Sequence, residues 1–81
     1  MTFFLVDYMH EDGPWICETP EGVLRCIEQF QVTELPHANL DYVIGASNVT
    51  IMHYIGYVAP QDKRTITADK FLDEYEVEYK C

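Results

Sequence analysis

The chain has 81 residues, 48% of them hydrophobic and 23% charged, and its 14 acidic and 5 basic residues give a formal net charge of −9. That length makes one domain, residues 1–81, with room for a single core but not for a deep enclosed pocket beside it. The charge repels phosphate backbones and anionic membranes, no apolar run approaches the ~20 residues that span a bilayer, and the apolar content is too high for disorder.

In FFLVDYM, Phe4, Val6 and Tyr8 alternate and share one side of a strand. The EDGP turn at 11–14 follows, and WICE, from Trp15 to Glu18, returns as the second strand of a hairpin. TPEGVLRCIEQF is the clearest helix, over 20–30. Thr19 caps it, Pro20 suits its first position, and Glu21 sits at the positive end of its dipole. Val23, Leu24, Ile27 and Phe30 form its apolar stripe with Cys26 alongside. Glu21, Arg25, Glu28 and Gln29 lie opposite, and Gly22 is its weak point.

Residues 31–39 read as a connector and LDYVIG, 40–45, as a strand in which Asp41 is expected to be half-buried. VTIMHYIGYVA, 49–59, is apolar on both faces and predicts a central strand, which PQDKR ends. Thr67 is placed to cap a short helix over 68–74, and YEVEYK, 75–80, alternates as a terminal strand. Tyr75, Val77 and Tyr79 lie on its core side and Glu76, Glu78 and Lys80 on its wet side. The expected fold is α+β, in the order β-β-α-β-β-α-β. It has an antiparallel or mixed sheet of about four to five strands, with one main helix packed on it.

Few residues carry recognisable chemistry. Cys17, Cys26 and Cys81 have neither CxxC spacing nor an even disulfide framework. The first twelve residues lack a basic n-region, so no signal peptide is expected, and the thiols are expected to be reduced in a cytoplasm. His10, Glu11 and Asp12 are adjacent ligand types in a surface turn, and no pair of residues has zinc-ligand spacing, so no metal or other cofactor is expected. Ser47 is not in a GxSxG elbow. Cys26 and His53 read as a buried small hydrophobe and a satisfied core histidine rather than as a nucleophile and its base, so no catalytic residue is assigned.

The acidity is the informative feature. Arg25 is the only Lys or Arg in residues 1–61. The chain is therefore expected to bind a basic protein, nucleic-acid-handling or otherwise, as an inhibitor or modulator, in the strongest case as a nucleic-acid mimic. In size and charge it resembles small phage-encoded antagonists of bacterial defence, anti-CRISPR proteins among them. The likeness is one of composition, with no shared motif, and it implies the host cytoplasm as the place of action. The partner-binding residues expected are Glu11, Asp12 and Trp15 at the hairpin tip, and Asp73, Glu74, Glu76 and Glu78 near the end. Two other roles fit the composition. One is a structural or adaptor homo-oligomer paired through strand 3–9 or 75–80. The other is a small enzyme or ligand-binding fold with Cys26 or His53 at its site.

Overall fold

A computed structural model describes residues 2–8, 15–53 and 62–79. Its elements are β1 (Thr2–Asp7), β2 (Trp15–Cys17), α1 (Pro20–Glu34), α2 (Leu40–Ala46), β3 (Asn48–His53), β4 (Asp62–Thr67) and α3 (Ala68–Glu74). The strands form one antiparallel sheet in the order β2-β1-β3-β4. The α+β class and the antiparallel pairing of the first two strands hold, the EDGP turn lies outside the described residues, and the element order is β-β-α-α-β-β-α rather than β-β-α-β-β-α-β.

Phe4, Val6 and Tyr8 all point into the core, as their alternation requires. Register puts Val6 opposite Val49 and Phe4 opposite Cys17, so one face of the sheet is continuously apolar. Against it pack Val23, Ile27 and Phe30 of α1, Val43 and Ile44 of α2, and Phe71 and Leu72 of α3. On the other face Phe3, Leu5, Thr50 and Met52 are half-buried and Ile16 is exposed. β1 is paired on both sides, so it is not the edge strand that self-pairing through 3–9 would need.

α1 starts as expected. The Gly22 N–H donates to Thr19 Oγ1 at 3.0 Å and Pro20 stands in the first turn. A Cβ on Gly22 would lie 3.0 Å from that oxygen, so the glycine leaves room for the capping hydroxyl, while the 3.8 Å to Cys17 Cβ is ordinary contact. The helix continues to Glu34, beyond the expected end at 30. Its end is closed by donors: Leu35 N–H donates to Gln31 O, and the Gln31 side-chain amide donates to the carbonyls of Leu35 and Ala38 just beyond the helix. Pro36 stops it by excluding Leu35 from helical geometry.

LDYVIG is not a strand. Leu40, Val43 and Ile44 stand at i, i+3 and i+4, and as α2 they turn one stripe to the core. Asp41 and Tyr42 fall on the outer side, so Asp41 is exposed rather than half-buried. Ser47 ends α2 fully buried, its hydroxyl donating to Val43 O at 2.7 Å while its carbonyl accepts from Ala68 N–H at 2.9 Å.

β3 is internal, between β1 and β4, as its two apolar faces predict; residues 54–59 of the expected strand lie outside the described residues. DKRTIT, read as the end of that strand and a helix cap, is itself β4. It is held by its ladder to β3 and by a Thr50–Thr65 hydroxyl pair at 2.9 Å. His53 is exposed, bonded through Nδ1 to Thr2 Oγ1 at 3.0 Å, and is not a core histidine.

The described part of the expected terminal strand, 75–79, is irregular. α3 ends in a Schellman turn, with Glu76 N–H donating to Asp73 O and Val77 N–H to Leu72 O. The alternation of burial survives in part without a strand: Val77 and Tyr79 are half-buried while Glu76 and Glu78 are exposed, but Tyr75, expected on the core side, is 37% exposed.

Candidate functional site

The turn at the end of α3 folds the chain back along α1. Between the two helices and residues 77–79 lies an open groove of about 900 Å³, lined by Leu24, Glu28, Asp69, Asp73, Val77, Glu78 and Tyr79. It continues past Leu24 to Glu21, Arg25 and Glu76. Leu24 and Val77 give it an apolar floor. Glu21 and Glu28 come from α1, Asp69 and Asp73 from α3, and Glu76 and Glu78 from the returning segment. Among the described residues that line the groove, the one cation beside these carboxylates is Arg25. Asp69 and Asp73 are four positions apart and so stand on one side of their helix.

Sequence reading anticipated part of this cluster. Asp73, Glu76 and Glu78 are brought together. Glu74 is not among them: its carboxylate pairs with Arg64 of β4, Oε2 to Nη2 at 2.7 Å. Glu11 and Asp12 lie outside the described residues. Trp15 is on the far side of α1, 55% exposed, in a second groove of about 480 Å³ with Tyr8, Arg25, Cys26, Gln29, Phe30, Thr33 and Glu34. The wall of that groove is stiffened by Tyr8 stacked on Phe30, ring centroids 4.3 Å apart and nearly parallel.

Glu21, Glu28 and Asp69 were not expected. Spacing puts Glu21 and Glu28, seven apart, on one side of α1, and Asp69 and Asp73, four apart, on one side of α3, but it does not say that these two sides meet. Asp69 is held in its ionised form by local hydrogen bonds. A hydrogen bond with the Thr67 side chain holds its carboxyl below the usual range, and the Lys70 N–H, 2.9 Å from Oδ1, adds to this. Thr67 therefore stands at the start of α3 without making the side-chain cap bond expected of it.

Glu76 carries a cost of position. Its φ of 56° is left-handed, which most side chains resist by about 1–2 kcal/mol and glycine does not. Glu76→Gly should raise stability by about 0.5–1 kcal/mol, the gain being reduced by glycine's freedom in the unfolded chain. Urea midpoints of the two proteins check this; a loss of stability would contradict the Schellman geometry.

Cys26 and His53 line different cavities, the latter with Thr2, Ile51, Arg64 and Tyr75, so they do not make a nucleophile–base pair. Among the described residues no three His, Cys, Asp or Glu side chains converge as metal ligands, and no helix is long and apolar enough to cross a membrane. Set against known proteins, the chain matches no family model, no curated protein and no solved structure.

Proposed function

We propose that this chain is a protein-binding inhibitor or modulator whose acidic groove takes a Lys/Arg-lined surface, of the kind that handles nucleic acid. The observation that supports the reading is the gathering of Glu21, Glu28, Asp69, Asp73, Glu76 and Glu78 around one groove with Arg25 as its cation. Carboxylates one and two helical turns apart are separated by about 5–11 Å along the axis, comparable with two to three phosphates of one DNA strand at ~3.4 Å each. Grouped charge over a low-dielectric floor focuses its field outward and steers a basic partner. The role needs no catalytic residue and no cofactor. It is the role of a phage-encoded defence antagonist acting in the host cytoplasm, a setting that size and charge alone suggest.

A titration of the isotope-labelled chain with a Lys/Arg-rich peptide, followed by amide NMR, tests the reading. At low salt, shifts should concentrate on residues 21–28 and 69–79 and fade at 1 M salt, where the screening length falls to ~3 Å. Shifts spread evenly over every carboxylate-bearing segment would sink it. Sedimentation of the chain alone at high concentration separates the self-associating alternative. That alternative would now run through β2, the edge strand on which Trp15 and Ile16 are exposed.

A further inference from the structure

Cys17 ends β2 and Cys26 lies two turns into α1. The packing of these elements brings the two sulfurs to 3.2 Å. Both are free thiols, and a disulfide would need them to close by little more than about 1 Å. Their access differs. Cys17 is buried, whereas Cys26 is half-buried and forms part of the wall of the Trp15 groove. A small oxidant entering that groove meets Cys26 first and finds Cys17 directly behind it. We propose that Cys17 and Cys26 are a dithiol–disulfide site whose oxidant is a hydroperoxide.

With hydrogen peroxide the chemistry balances in two steps. Cys26 Sγ, its proton released to solvent, attacks one peroxide oxygen. The O–O bond breaks, leaving a sulfenic acid on Cys26 and a hydroxide that takes a proton back from solvent and departs as one water. Cys17 Sγ then attacks the sulfenic sulfur and the S–O bond breaks. The departing hydroxide takes the Cys17 proton and leaves as a second water. Two thiols are oxidised by two electrons in all, and one peroxide is reduced. Burial pushes the Cys17 thiol up to about 12, so it keeps its proton until that step and is suited to resolving rather than initiating. Burial first, and then the neighbouring Cys26 and Cys17 sulfurs, push the Tyr8 phenol well above its usual range, so it stays protonated beside them. The bond would fasten β2, and with it Trp15, to α1; an excess of a small thiol would release it.

The test uses the full chain with Cys81→Ser, reduced and then given a few equivalents of hydrogen peroxide. Intact mass should fall by two hydrogens with both thiols consumed in a monomer. The melting temperature should rise by about 10 °C and return on reduction. Cys17→Ser in the same background should stop at the sulfenic acid, captured by a 1,3-diketone. Differential alkylation and peptide mapping of the unsubstituted chain give the same answer should that variant fail to fold. Oxygen added to Cys26 while Cys17 stays free, or disulfides formed only between molecules, would overturn the site.

Discussion

Phe71→Ala is expected to remove about 3–5 kcal/mol of folding free energy, the usual cost of truncating a fully buried phenylalanine. Phe71 has no exposed surface. Its ring meets Phe4 edge-on with centroids 5.1 Å apart and stacks on Tyr75 at 4.6 Å, while Phe4 and Tyr75 are themselves edge-on at 5.5 Å. Three rings thus join β1, α3 and the turn that closes the acidic groove. An 81-residue domain has about 4–12 kcal/mol of net stability, so this one cavity consumes much of it. Urea unfolding measures the loss, and a value under about 2 kcal/mol would mean that α3 is not seated as described. Tyr75→Ala should cost less, because its side of the cluster already faces water. A Phe4→Leu and Phe71→Leu cycle should return a coupling of about 0.5–1.5 kcal/mol. Because α3 carries Asp69 and Asp73, loosening its anchor also loosens the groove.

The contrast between α1 and α2 explains which parts of the fold can be read from residues. α1 has a cap, a proline at its first position and four apolar residues on one stripe, and these local signals agree with its packing. LDYVIG offers six residues, mostly apolar and partly β-branched, with no side-chain cap bond from Asn39. In so short a run the helical spacing of Leu40, Val43 and Ile44 competes with a strand reading that composition favours. β4 is harder still. DKRTIT has one apolar side chain, Ile66, which lies opposite Val49, and its extension comes from pairing with β3 rather than from propensity. At 75–79 the alternation of wet and core side chains was legible, but not the left-handed Glu76 that turns the segment. Nothing in a glutamate announces that conformation.

The site divides in the same way. That acids crowd residues 70–80 is plain in the letters. Which of them face α1 depends on where α3 ends and how the chain returns. Glu74 and Asp73 are neighbours in sequence, yet one reaches across to Arg64 while the other faces the groove. Glu21 and Glu28 join the cluster because α1 forms the opposite wall, a tertiary fact that spacing along one helix does not contain.

That division supplies the sharpest test of the proposed function. Asp73→Lys and Glu74→Lys change the net charge by the same amount, at adjacent positions on one short helix. If the groove is what binds, Asp73→Lys should weaken a Lys/Arg-rich peptide by about tenfold or more at low salt, a loss of ~1.4 kcal/mol, and Glu74→Lys by about twofold or less. Combining Asp73→Lys with Glu28→Lys and Glu78→Lys should bring the loss to about 100-fold or beyond, with most of it vanishing as salt approaches 1 M. Stability should separate the two single variants in the opposite sense. Asp73→Lys relieves like charge and should stay within about 0.5 kcal/mol of the parent, while Glu74→Lys breaks an exposed ion pair at a cost of up to about 1 kcal/mol. Fluorescence titrations and urea midpoints on the same two proteins give both comparisons. Equal loss of affinity in the two would mean that the acids act only through net charge, and that the groove has no part in recognition.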